Sequence, residues 1–199
     1  MKYQELRKKI KSPVFTRQDL RFLPGRVFAY QLSLWQKQGY IVKLKNGVYA
    51  YSDMLSDILS EEISPALYGP SYISLERALS FYGLIPEMVY AVTAVTPKTT
   101  RRIKNKAGFF IYRHIKPNLY FGYKAKKGGK LSYLMAEPEK AILDLMYLNR
   151  INDVFKLNNL RINWKVARKI LNKARLRKYM SRYSKGSIRH LANEILRRI

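Results

Sequence analysis

The sequence predicts an α+β protein: an N-terminal winged helix-turn-helix over residues 1–52, then a mixed α/β domain with a small sheet and basic C-terminal helices over residues 53–199. Three observations predict it. Between Thr16 and Tyr51 two helix-period segments precede two strand-period segments joined at Asn46-Gly47, a dipeptide favoured in two-residue hairpins. Near Ser52-Asp53 the composition shifts, as a basic stretch gives way to Asp53, Asp57, Glu61 and Glu62. Beyond it, helical and strand-like segments are interspersed without an internal repeat or low-complexity tract.

Each element has a local reason. Thr16 is a good N-cap for a short helix, Arg17 to Phe22, which Pro24-Gly25 breaks. A second helix, Arg26 to Gln38, carries Phe28, Leu32 and Trp35 at the i, i+4, i+7 spacing of one buried face. Gly39 is placed to end it in the left-handed conformation. Tyr40 to Lys45 alternates as a strand, with Tyr40, Val42 and Leu44 on one face and Ile41, Lys43 and Lys45 on the other. Val48 to Tyr51 returns beside it.

The second domain reads as a helix from Met54 to Ile63, broken by Pro65, Gly69 and Pro70. Ser71 or Ser74 caps the next helix, Ile73 to Tyr82, and Gly83 ends it. Val89 to Val95 is a strand buried on both faces; Phe109 to His114, Leu119 to Tyr123 and Leu131 to Met135 are further strands, the last two joined by the turn Lys126 to Lys130. Pro138 opens a helix to about Asn149, with Ala141, Leu145 and Leu148 on one face. Asn163 to Tyr183 reads as one long amphipathic helix. Ala167, Ile170, Leu171 and Ala174 face inward, and Lys165, Arg168, Arg175, Lys178 and Arg182 line the other side. Ile188 to Arg198 forms the last helix.

Charge bounds the partners. The chain has 39 Lys/Arg against 13 Asp/Glu, a net of +26. Residues 1–52 carry 11 cations against 2 acids, and residues 161–199 carry 13 against 1. Such basic ends favour a polyanionic partner, because Lys and Arg release counterions condensed on phosphate. Without cysteine there is no disulfide and no cysteine-ligated zinc or iron–sulfur site. No apolar run reaches the ~20 residues of a membrane span, and the N-terminus lacks a signal-peptide core. The expectation is a cytoplasmic protein with no membrane partner.

The duplex-reading face can be named. Opposite the apolar face of the second helix stand Arg26, Tyr30, Ser33 and Lys37. Arg26, at the predicted helix start, is placed to fork onto a guanine, Tyr30 and Ser33 to reach bases or phosphates, and Lys37 a phosphate. Lys43, Lys45 and Asn46 sit on the wing, and Arg17 and Gln18 begin the preceding helix, whose N-terminus can accept a phosphate. The cations of the long C-terminal helix are expected to touch a nucleic-acid backbone more weakly.

Catalysis is not expected. Glu137, Glu139 and Asp144 cluster with Glu76 and Glu87 upstream, but Pro138 occupies the position two before Lys140 where a common nuclease pattern needs an acid. Glu139 fits a helix first turn and Asp144 a partner of Lys140 at i, i+4. Neither His114 nor His190 accompanies a nucleophile motif, Gly128-Gly129 reads as a hairpin turn, and no metal or cofactor motif is present. Tyrosines beside cations, as in Tyr112-Arg113, Tyr123-Lys124, Lys178-Tyr179 and Arg182-Tyr183, offer an alternative: a single-strand or RNA binder working through the second domain.

Five segments in order carry a family resemblance: a winged helix ending in NGVYAYS, then SYISLERALSFYGLIPE (Ser71 to Glu87), then VTPKTTRRI and GFFIYRHI, and finally AEPEKAILDLMYL (Ala136 to Leu148). Over about residues 1–150 the chain resembles the AbiEi family of bacterial type IV antitoxins and related transcriptional regulators. The resemblance implies an N-terminal domain that binds double-stranded operator DNA, an inverted repeat, and represses its own operon. It also implies a second domain that counters a nucleotidyltransferase-like toxin without needing a stable complex with it.

Overall fold

The computed structural model describes residues 1–87 and 89–199, which form a mixed α+β structure with two sheets. The N-terminal elements are α1 (Tyr3–Lys9), β1 (Val14–Thr16), α2 (Arg17–Arg21), α3 (Ala29–Lys37), β2 (Ile41–Lys45) and β3 (Val48–Tyr51). The three strands are antiparallel in the order β1-β3-β2. A reciprocal capping box starts α2: the Thr16 hydroxyl accepts the Asp19 amide at 3.3 Å, and the Asp19 carboxylate accepts the Thr16 amide at 2.6 Å. Gly39 ends α3 at φ +75° and Gly47 turns the hairpin at φ +81°, both in the region that favours glycine.

Two readings of this segment are corrected. The helix begins at Ala29 rather than Arg26, because Phe28 is the extended residue before it and its amide is taken by the Gln31 side chain at 2.9 Å. Phe28 is 49% exposed, so only Leu32 and Trp35 form the buried face. In β2, Ile41 and Leu44 are both buried, on opposite faces. A register shift between Lys43 and Lys45 places Lys45 opposite Val48, and such a bulge reverses the alternation beyond it. The sheet can bury both faces because each has a partner. Phe15, Ile41, Tyr49 and Tyr51 meet Leu6, Leu20, Leu32 and Trp35, whereas Val14, Leu44, Val48 and Ala50 join the core of the rest of the chain.

A 3₁₀ turn (Ser52–Asp57) leads to α4 (Ser60–Leu67), β4 (Tyr72–Ile73), α5 (Leu75–Phe81), β5 (Val92–Thr96), β6 (Arg101–Asn105) and β7 (Gly108–His114). After a second 3₁₀ turn (Pro117–Leu119) come β8 (Tyr123–Lys127), β9 (Ser132–Ala136), α6 (Pro138–Leu148), α7 (Val154–Asn159), α8 (Trp164–Ile170), α9 (Lys173–Met180) and α10 (Gly186–Arg198). The larger sheet runs β6-β7-β5-β4-β9-β8, parallel at β5–β7 and β4–β9. Every residue of β5 is buried, and α6 is buried continuously from Glu139 to Met146, well beyond the single face its spacing suggested.

The helix expected from Met54 to Ile63 is instead the first 3₁₀ turn and α4, with Pro65 inside the latter. Ser74 precedes α5, but its hydroxyl donates to Asp144 at 2.9 Å instead of capping. The strand expected at Leu119 begins only at Tyr123. The long C-terminal helix is broken at Leu171-Asn172: the Glu139 carboxylate takes the Asn172 amide at 2.6 Å, and the Asn172 side chain caps α9 through the Arg175 amide at 2.9 Å. The break turns Ile170 and Ala174 outward. Among the described residues, no helix is long and apolar enough to cross a membrane.

Candidate nucleic-acid interface

The exposed face of the N-terminal unit is built by α2, the loop after it and α3. A groove of about 500 Å³ runs between them, lined by Arg17, Arg21 and Arg26 over an apolar floor that includes Leu20, Val27 and Leu32. Tyr30 is 68% exposed and stacks on Phe28, with ring centroids 5.9 Å apart. Tyr30, Ser33 and Lys37 share the outer side of α3, as their spacing requires. The Ser33 hydroxyl donates back to the Ala29 carbonyl at 3.1 Å, which leaves it less available to a ligand.

Arg26 is exposed, but in the loop leading into α3. Arg17 and Gln18 are exposed at the start of α2, and the Arg17 amide donates to the Gly47 carbonyl at 2.9 Å. That bond holds the hairpin turn, with exposed Asn46, beside the first turn of α2. Lys43 is exposed on β2. Lys45 departs from this surface, because the bulge aims it at the other face: its Nζ donates to the Leu67 carbonyl at 2.9 Å and lies 5.5 Å from the Tyr68 ring centre. Eight of the nine residues expected on the duplex-reading face are therefore exposed; of these Arg17 and Arg26 line the groove, together with Arg21 and Phe28, which were not expected there. Phe28 carries the spacing of a core residue, and no period in the sequence singles out Arg21.

The C-terminal cations are dispersed by the break between α8 and α9. Lys165 and Lys178 are exposed. Arg168 donates to the Arg198 carbonyl at 2.9 Å, and Arg182 lies 4.3 Å from the Phe121 ring centre. Arg175 is drawn inward to Glu137 at 3.2 Å and Glu139 at 3.5 Å. Of the tyrosines offered for base stacking, Tyr112 and Tyr183 are in the core, and Tyr179 donates its hydroxyl to Glu137. Tyr123 stacks on Tyr72.

Four carboxylates, Glu62, Glu137, Glu139 and Asp144, are held in contacts within the fold. Lys140 and Asp144 form an ion pair with both side chains fully buried. Asp144 also accepts the hydroxyls of Tyr72 and Ser74, both at 2.9 Å, and of Tyr183 at 3.2 Å. Burial, opposed by Asp144, lowers the Lys140 pKa. Glu62 takes the Leu59 amide at 2.7 Å and the Lys130 and Leu131 amides of the β8–β9 turn. A Cβ on Gly128 would stand 2.3 Å from Glu62, so glycine lets this turn close on the carboxylate. His114 and His190 are exposed, and among the described residues no group of three metal-ligating side chains assembles. Comparison of the chain with protein-family models and with curated protein sequences finds no match.

Proposed function

We propose that this chain is a sequence-specific DNA-binding repressor and the antitoxin of a type IV toxin–antitoxin pair, of the AbiEi kind. The observation that carries the DNA reading is the groove lined by Arg17, Arg21 and Arg26 between α2 and α3, with Gln18, Tyr30, Lys37, Lys43 and Asn46 also exposed on the N-terminal elements. The order helix, strand, helix, helix, hairpin supports the reading as a winged helix-turn-helix, in which the last helix would enter the major groove and the hairpin touch the backbone. Arg26 and Tyr30 reach base edges in this reading. Arg17, Gln18, Lys37, Lys43 and Asn46 hold phosphates. No carboxylate lines the groove, which favours a polyanion over a cationic partner.

The antitoxin assignment rests on the resemblance, supported by one structural relation. Its two most specific segments build β4–α5 and α6, and they meet through the bonds of Tyr72 and Ser74 to Asp144. A gel-shift titration against duplex from the chain's own upstream region, beside an unrelated duplex and single-stranded RNA, tests the DNA part at ~50 and ~200 mM salt, a range over which purely electrostatic binding falls by orders of magnitude. The cognate duplex alone should survive the higher salt, and Arg26→Ala should cost it about 1–3 kcal/mol of discrimination. Equal decay of all three ligands would overturn the reading. Rescue of cells from a nucleotidyltransferase-like toxin encoded beside the chain tests the second part.

A further inference from the structure

Away from the groove, two adjoining cavities open between α5, α6 and the β5–β7–β6 end of the larger sheet. One, of about 280 Å³, is walled by Glu76, Thr100, Arg102 and Arg113 over Val89 and Ile111. The other, of about 200 Å³, is walled by Glu87, Asn149 and Asn159 over Ile85, Leu145 and Leu160. Glu76 and Val89 line both, so they form one cleft with two lobes. Neither lobe alone reaches the roughly 300 Å³ at which small-molecule sites begin; joined, they do.

The charge of the cleft is dipolar. Arg102 and Arg113 hold one end, Glu76 the middle and Glu87 the other end. No ion pair among the described residues includes any of these four. Among the described residues, Glu76 and Glu87 thus face the cleft with their charge uncompensated by a cation within 4 Å. Asn149 spans the middle, accepting from Arg113 at 3.2 Å and donating to Glu76 at 3.3 Å, and so holds the opposed charges apart. A ligand that spans the cleft must bring an anion to the guanidinium end, hydroxyl donors to the centre and a flat, partly apolar body to the far lobe.

We propose that the cleft binds a ribonucleoside monophosphate. Its phosphate meets the exposed Arg102, whose guanidinium geometry suits phosphate oxygens, while Arg113, held by Asn149 and by the Leu148 carbonyl at 3.0 Å, adds its charge behind it. The ribose hydroxyls donate to Glu76, the usual use of a carboxylate beside a nucleotide sugar. The base lies on Ile85, Leu145 and Leu160, with its polar edge on Glu87, Asn149 and Asn159. This site is separate from the α2–α3 face, so its failure leaves the DNA reading standing.

The test is calorimetric titration of the full chain at ~200 mM salt with each of the four nucleoside 5′-monophosphates. Adenosine, 2′-deoxyadenosine monophosphate and inorganic phosphate serve as controls. At least one monophosphate should bind about tenfold tighter than inorganic phosphate, and tighter than its 2′-deoxy form by about the worth of one hydrogen bond to a charged group. Glu76→Gln should erase the ribose preference, and Arg102→Ala should weaken the nucleotide about tenfold while leaving adenosine unchanged. Melting curves and an unaltered gel shift establish that both variants are folded. A short oligoribonucleotide that displaces the mononucleotide at lower concentration assigns the unit to an RNA end, and the reverse order to a free nucleotide. Binding of phosphate as tightly as any nucleotide, no binding at all, or a ribose preference that survives Glu76→Gln would overturn the proposal.

Discussion

Lys140 and Asp144 form a buried ion pair on which three hydroxyls from distant elements converge. Both are completely buried, and Asp144 is the common acceptor for Lys140, Tyr72, Ser74 and Tyr183. Asp144→Ala leaves the fully buried lysine charge without its counter-ion, and it should cost about 3–5 kcal/mol in urea denaturation. Replacing the pair with Lys140→Met and Asp144→Leu should recover most of that loss, because the desolvation cost of both ions disappears together. A double variant as unstable as the single one would mean that the tyrosine and serine bonds, and not the charge, carry the effect. The i, i+4 spacing made this pair legible in the sequence. The three hydroxyls were not, since they arrive from residues 39 to 72 positions away. Phe28 failed for the opposite reason: its spacing matched Leu32 and Trp35, but a residue before the first helical turn leaves the helix surface and takes its own direction.

Among the elements, α9 depends on α6 more than on its own sequence. Glu137 receives Lys124 from β8 at 2.7 Å, Arg175 at 3.2 Å and the Tyr179 hydroxyl, while Glu139 receives the Asn172 amide. Burial alone would raise the Glu137 pKa, but the bonds from Lys124 and Tyr179 and the charge of Arg175 outweigh it and hold the group below its ordinary 4.5. A carboxylate depressed in the folded state stabilises it above the unfolded pKa, and that contribution is lost as pH falls through the folded value. Docking of α9 should therefore be intact above about pH 5 and loosen as the pH drops below 4.5, seen as faster amide exchange in residues 173–180. Glu137→Gln should exchange faster already at neutral pH and flatten the dependence. Unchanged α9 exchange in that variant would place its docking elsewhere. Sequence periodicity could not find this arrangement, because the basic and apolar spacing runs through Leu171-Asn172, and the break is set by the Asn172 cap together with a carboxylate of a distant helix. The short α1, β1, β6 and α7 were missed for a related reason: each is too brief to show a period, and packing or pairing with distant residues defines it.

At the scale of the whole molecule, the smaller sheet is shared between two cores. The composition shift at Ser52-Asp53 is plain in the sequence, but it does not reveal that Val14, Leu44, Val48 and Ala50 turn away from α1–α3 and join the core cluster that also holds Ile63 and Leu67 of α4. Three polar contacts reinforce the junction: Lys45 to the Leu67 carbonyl, Asn105 to the Leu44 carbonyl at 3.0 Å, and Arg7 to Asp53 at 2.6 Å. An apolar face cut off from that core would meet water, at about 25 cal/mol per Å² exposed, so neither side is expected to persist when the other unfolds. The chain supplies its own probes, since its two tryptophans are Trp35 in α3 and Trp164 in α8. Trp35→Phe and Trp164→Phe each leave one reporter, and urea transitions followed by the two should share a midpoint once corrected for the stability change of each variant. Leu67→Ala, at the junction, should then lower both midpoints together, by the about 2–5 kcal/mol of a buried leucine truncation. If the Trp35 signal instead unfolds first and ignores Leu67→Ala, the N-terminal unit stands on its own. The basic groove and the rest of the chain would then be two proteins on one chain, and occupancy at one would have no mechanical route to the other.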